Sequence, residues 1–460
     1  MTQSRIRRDL TTGSIGRQLF QMTIPMIAGM FSLMAFNLTD TWFVSMLGTD
    51  ELAAMGFTFP VVMIIGSIAM GLGQGASSVI SRTVGSGDIS QVRRLAIGAI
   101  LLSVLTVSFF ALLGIMIVDP VFRTLGAKGH ILELVKQYMI PWFACVGVIF
   151  IPMTCNNILR ATGDTTAPGV IMSVCAIFNV ILDPILIFGW FGLPAMGLKG
   201  AAYATILSRL ITLFGSFYVL YFRARLLELE IPKLSDLINS WLQILRIALP
   251  TAGAMLLMPI TTGVITRLVA AHGEAAVAAV GAGDRVIRFT FLVPIALGTV
   301  MMPYVGQNWG AKKFDRIRKG WNGGLMFSSA YGLITFLLML VLADPVARIF
   351  SNKPDVIEVM VDYLRIMLLC GCFVHASAYS SFAFNASGMP GTAWLINIVR
   401  MLLLTIPGAF IGGYFFGLNG IFWGGGLSGA GAGIISWILY NRTLTKQEEL
   451  LDAESLSDQL

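Results

Sequence analysis

Apolar runs broken by short polar or basic stretches recur along the whole chain. About twelve of them are long enough to cross ~30 Å of hydrocarbon at ~1.5 Å per helical residue. They cover approximately 19–47, 52–81, 95–118, 132–155, 166–190, 198–222, 242–271, 275–307, 320–343, 357–384, 392–415 and 420–440. Runs of this length predict membrane-spanning helices rather than barrel strands. Two of them hold a carboxylate where a charge is expensive. Phe36-Asn-Leu-Thr-Asp-Thr-Trp42 puts Asp40 in the first span, and Phe178-Asn-Val-Ile-Leu-Asp-Pro184 puts Asp183 in the fifth. An aspartate at a span centre costs roughly 2.5–3.5 kcal/mol, so each acid calls for a partner and a function.

Comparing the chain with itself reveals a repeat. At a constant offset of 225, Pro25 matches Pro250, Gly48 Gly273, Gly56 Gly281, Gly85 Gly310, Arg93 Arg318, Asp119-Pro120 Asp344-Pro345, Arg123 Arg348, Tyr138 Tyr363 and Gly163 Gly388. The period holds six spans, so the halves share one orientation. The fold class this predicts is an all-α polytopic membrane protein with twelve transmembrane helices in two pseudo-symmetric six-helix bundles. The segments are 1–18 as a cytoplasmic N-terminal stretch, 19–222 as the first lobe, 223–241 as a linker carrying Glu228, Glu230 and Pro232, 242–441 as the second lobe and 442–460 as a tail. The acids break the symmetry, because Asp40 corresponds to Ile265 and Asp183 to Gly408.

Composition agrees: 56% of the 460 residues are hydrophobic and 12% charged, with a mean hydropathy of +0.81, which leaves little chain for a soluble domain. The net charge of +7 reflects basic residues gathered in alternate loops and does not signal nucleic acid. By the positive-inside rule both termini are cytoplasmic, in a cell membrane. Arg5, Arg7, Arg8 and Arg17 precede the first apolar run, which is too long and too poor in a small-residue cleavage site for a secretory signal. The five cysteines all lie in or beside apolar runs and form neither a disulfide framework nor a zinc site. No HExxH, GxSxG or Walker A motif is present, so neither an enzyme nor a directly ATP-driven pump is indicated, and an ion gradient is the remaining energy source.

Asn179 and Asp183 are four apart and share a helix face, and Pro184 cannot donate to the carbonyl of Val180. Asn37 and Asp40 form a similar pair, with Pro25 a hinge lower in the same span. Carboxylate and amide oxygens grouped in this way suit a proton relay or a weakly held Na+ at Asp40, Asn179, Asp183 and the Thr205 hydroxyl; the bland alternative is a pair of hydrogen-bonded structural aspartates. In the second half, Asp284 and Arg288 are an i,i+4 pair expected to neutralise itself beside Arg285, and His375 is expected to be a satisfied polar residue first and a cavity group second. Met34, Met63, Met258, Arg288 and His375 are candidates to line a substrate cavity, since thioethers and aromatic faces adapt to varied apolar cations.

Taken together, Pro25, Asn37-Leu-Thr-Asp40, Gly56-Phe-Thr-Phe-Pro60, Arg160-Ala-Thr-Gly163 and Asn179-Val-Ile-Leu-Asp-Pro184 resemble the multidrug and toxic compound extrusion (MATE) family over residues 15 to 441, its DinF-like branch in particular. The resemblance implies a V-shaped antiporter that expels cationic, often aromatic compounds against H+ or Na+, with Asp40, Asp183, Asn179, Thr205 and Tyr138 associated with the coupling ion and no other cofactor. It implies small amphipathic solutes and the bilayer as partners, and a monomer. The acids of the NorM-like branch are missing: Met258 stands where one would be, and the other would lie near Val374 and His375. A flippase for lipid-linked precursors is the alternative, kept open by Arg267, Arg285 and Arg288. A membrane enzyme or receptor is a third class with no recognisable catalytic set.

Overall fold

The computed structural model describes residues 9–227 and 233–457, the side chains of 455 and 456 excepted. Arg5, Arg7, Arg8, Glu228, Glu230 and Pro232 lie outside the described residues. Among the described residues all regular structure is helical: α1 (Ile15–Ser45), α2 (Thr49–Ser86), α3 (Ile89–Thr124), α4 (Gly129–Ala144), α5 (Val146–Ala161), α6 (Thr166–Phe188), α7 (Gly197–Tyr218), α8 (Leu234–Ala270), α9 (Glu274–Thr290), α10 (Leu292–Gly310), α11 (Phe314–Phe350), α12 (Pro354–Ala386), α13 (Pro390–Ile398) and α14 (Ile406–Ser457).

Eight helical stretches are long and apolar enough to cross a membrane, and two bent pairs, α4 with α5 and α9 with α10, add two more. The 33-residue α12 lies outside this set and is long enough for one further crossing. The last apolar stretch is a hairpin, because Gly417 adopts φ 60°, ψ −142° within α14. Its arms touch backbone to backbone: a Cβ on Gly412 would lie 2.0 Å from the Gly420 carbonyl oxygen, and one on Gly424 1.9 Å from that of Gly408. With the hairpin counted twice, the crossings match the twelve apolar runs.

The two bends subdivide spans that the apolar pattern presents as single. α9 and α10 meet at 54°. Pro294 has no N–H to offer the Thr290 carbonyl, so the helical ladder lapses there; the Tyr331 hydroxyl donates to that carbonyl instead, at 2.9 Å. α4 and α5 meet at 51° between Ala144 and Val146.

The chain forms two compact units, one built from Asp9 and Gln21–Ala252, the other from Leu10–Phe20 and Gly253–Leu460. The division falls inside α8 rather than in 223–241, and glycines explain why. A Cβ on Gly71 would meet Ala252 at 2.7 Å and one on Gly75 the Ile244 carbonyl oxygen at 2.7 Å. The Trp241 indole donates to the Gly98 carbonyl at 2.9 Å. The first half of α8 therefore packs against α2 and α3. In the first unit, a core around Trp142, Phe143 and Phe150 joins α2, α3, α4, α5 and α7. In the second, Tyr363, Ile366, Cys370 and Phe422 tie α12 to α14. There the segment before α1 is held by side chains: Gln307 and Asn308 bond the Leu10 backbone, and Arg316 donates to the carbonyls of Leu10, Thr12 and Gly13.

Candidate functional site

In the first unit α1 and α6 cross closely at the glycines Gly29 and Gly169. A Cβ on Gly169 would sit 2.4 Å from the Pro25 carbonyl oxygen, and one on Gly29 3.1 Å from the Gly169 Cα. One turn further, the Ser32 hydroxyl donates to the Ser173 Oγ at 3.0 Å. Both contacts advance along both helices, so α1 and α6 run in the same direction. Asp40 lies eight residues beyond Ser32 and Asp183 ten beyond Ser173, rises of roughly 12 and 15 Å at ~1.5 Å per residue. The glycine crossing thus brings two acids from distant parts of the chain to nearly one height.

Asp183 and Asn179 are fully buried and Asp40 is 5% exposed. The Asn179 amide donates to Asp183 Oδ1 at 3.3 Å. Asp40 Oδ1, Asn179 Oδ1 and Asp183 Oδ2 are all buried without a hydrogen-bond partner among the described residues. The Asp40 charge reaches Asp183, and both reach the buried Tyr138 on α4. Among the described residues no cationic side chain acts on either acid. Unpaired buried acceptors and unneutralised charges cost several kcal/mol each. A group rich in acceptors and short of donors has the chemistry to take up a proton or a monovalent cation. Among the described residues no three His, Cys, Asp or Glu side chains converge as a conventional metal site.

Other sequence candidates fall differently. α6 continues unbroken through Pro184 to Phe188. Asn37 is exposed, while Asp40 is buried; three residues advance a helix by about 300°, which sets the amide about 60° round from the acid, at the edge of its face. Thr205 is buried on α7, which packs against α6, and its hydroxyl makes no hydrogen bond to the three residues. Met34 is half-buried and Met63 is exposed in the first unit. In the second unit Met258 and Arg288 are both exposed.

Two expectations in the second unit are corrected. Asp284 does not neutralise itself with Arg288: its Oδ1 accepts a 2.5 Å hydrogen bond from the Tyr363 hydroxyl on α12, and a Cβ on Gly283 would meet that ring at 2.5 Å. Tyr363 is the repeat counterpart of Tyr138. His375 is not satisfied, because its Nε2 is buried without a partner among the described residues, while its ring meets Phe291 edge-on at 4.6 Å. Several charges in apolar runs carry no motif in the sequence, Arg209 and Arg400 among them. Arg209 on α7 lies 5.5 Å from the Phe36 ring centroid. Arg400 donates to Ser377 Oγ at 2.8 Å and Asn397 Oδ1 at 3.2 Å. A search for every charge within an apolar run would have found both.

A family model described as MatE matches residues 25–185 and, a second time, 250–411. The chain belongs to the MATE family. The two matches begin 225 residues apart, which is the offset of the internal repeat. This MATE protein is 35% identical to a FAD transporter of Shewanella oneidensis, over 90% of this chain and 92% of that protein. It is 27% identical to a probable multidrug resistance protein NorM of Thermotoga maritima, over 94% of this chain and 91% of that protein. Among solved structures it is similar to the MATE transporter VcmN of Vibrio cholerae in the bent form, at a TM-score of 0.90 and 30% identity, covering 95% of this chain and 99% of that one. The MATE chain is thus an all-α, multi-pass membrane transporter and not an enzyme.

Proposed function

We propose that this MATE transporter is an ion-coupled exporter, in which H+ or Na+ is taken up by Asp40, Asn179 and Asp183 in exchange for an amphipathic aromatic solute. The observation that carries the proposal is the set of three buried oxygens without partners on those residues. A proton or a sodium ion satisfies them; a substrate cation held elsewhere does not. Neutralising the acids lets α1 rearrange at Pro25, where it lies against Gly169. Tyr138 borders the ion group, and Thr205 and Asn37 stay outside its hydrogen bonds. The protein works as a monomer in the cell membrane with both termini in the cytoplasm, as the basic loops suggest.

The solute is cationic in the reading that the resemblance implies. A second reading, an anionic aromatic nucleotide such as FAD, is favoured by the 35% identity to the FAD transporter. Efflux of ethidium and of FAD from proteoliposomes, under pH and Na+ gradients imposed separately, tests both. One gradient is expected to drive export of one of the two solutes. Export that responds to neither gradient would refute ion coupling.

A further inference from the structure

The second unit holds a polar cluster that ion coupling does not use. Arg400 lies ten residues beyond Pro390, in the wide π-type turn Val399–Thr405 between α13 and α14. π-type turns inside helices often mark functional sites. Arg400 is half-buried, and two of its five N–H groups have acceptors, the neutral Ser377 and Asn397 oxygens. Asn397 is itself aimed by donating to Ser381 Oγ at 2.5 Å and the Ala393 carbonyl at 2.8 Å. His375 lies two residues before Ser377 on α12, and its Nε2 is buried without a partner among the described residues. No carboxylate acts on Arg400 among the described residues. Its repeat counterpart in the first half is Cys175, on the helix that carries Asn179 and Asp183. Equivalent helices therefore carry acid in one unit and base in the other.

A guanidinium within a membrane span is kept only where something pairs with it. Its neutral neighbours fix the orientation of the planar fork and leave its charge unanswered. We infer that Arg400, oriented by Ser377 and Asn397 with His375 alongside, is a recognition site for an anionic oxygen group, a phosphate or carboxylate, on the transported solute. The inference rests on the export reading and assigns that solute a negative end. Arg is suited to the task because its fork engages two oxygens of a phosphate at once, which a lysine ammonium does not.

The test is equilibrium binding to the purified full chain in detergent, with riboflavin 5′-phosphate and riboflavin as probes, which share a ring system and differ by the phosphate. The phosphate form is expected to bind about ten- to hundredfold tighter, the range for charge-assisted hydrogen bonds. Arg400→Gln should erase the preference and Arg400→Lys should keep part of it. The double substitution Ser377→Ala with Asn397→Ala, which retains the charge and loosens its aim, should reduce the preference severalfold. The double variant decides the matter if Arg400→Gln elutes as aggregate. Equal wild-type affinities, no saturable binding of the phosphate form, or an unchanged preference in Arg400→Gln or the double variant would overturn the inference. Binding in detergent needs no gradient. A preserved phosphate preference with no flux in proteoliposomes would therefore count against export and leave this site standing.

Discussion

Gly169→Ala places a methyl group against a close backbone contact that aligns the two acids. The new Cβ would lie 2.4 Å from the Pro25 carbonyl oxygen and 2.9 Å from its carbon, whereas ordinary contact begins near 3.4 Å. The obstruction is backbone, so relief requires α1 and α6 to part by about 1 Å. Overpacking of this kind costs ~1–3 kcal/mol, and the better helix propensity of alanine returns ~1 kcal/mol. The net loss of stability is therefore at most about 2 kcal/mol, and the variant should remain folded. Function should suffer more, because a binding group displaced by ~1 Å loses its shared ligand. Ion-driven efflux from proteoliposomes, read beside thermal unfolding in detergent, is the assay. Gly323→Ala is the control, since nothing lies within 4 Å of its Cβ, and it should match wild type in efflux and melt no lower, its helix gaining ~1 kcal/mol of propensity. Wild-type coupled efflux by Gly169→Ala would refute the claim that the Gly169–Pro25 crossing sets the site.

Further predictions concern the second unit. Tyr363→Phe removes the 2.5 Å hydrogen bond to half-buried Asp284 and should cost ~1–3 kcal/mol; melting at the wild-type temperature would show the bond to be dispensable. Arg316→Ala deletes the donor to three carbonyls of the segment before α1, so amide exchange over residues 10–18 should accelerate while α12 stays protected, and unchanged exchange would assign the anchoring elsewhere. Gly412→Leu must fit a side chain where a Cβ already lies 2.0 Å from the Gly420 carbonyl oxygen, and folded monomer should be lost on size exclusion. Normal recovery of that variant would contradict the close hairpin.

Much of the architecture is legible in the chain because lipid leaves few options. Twelve apolar runs and a gap-free register of 225 define the helices, and the twofold family match at the same offset agrees with them. Breaks within runs are less visible. Pro294 is one proline among several in apolar stretches, and its consequence depends on Tyr331, 41 residues from Thr290, taking the freed carbonyl. The place where the units divide is hidden too, since the small residues Gly71, Gly75 and Gly98 acquire meaning only against α8.

The candidate ion group is partly legible. Neither Asp40 nor Asp183 can face lipid cheaply, which argues for convergence, and the Asn179–Asp183 hydrogen bond is the i,i+4 contact that spacing suggests. The same logic misleads for Asn37, where three residues leave the amide on an exposed face. It misleads again for Asp284, whose partner Tyr363 lies 79 residues away and outside any local pattern. Arg400 is missed because its neutral partners make no charge pattern to notice.

The most direct test of the central claim is gradient-driven efflux by Asp40→Asn and Asp183→Asn, each reconstituted beside wild type under pH and Na+ gradients and checked for thermal unfolding. Wild type should respond to one gradient. Both variants should stay folded and lose that response, because each exchanges an ionisable oxygen of the buried group for a neutral amide. Full gradient-driven efflux by both variants would contradict the account.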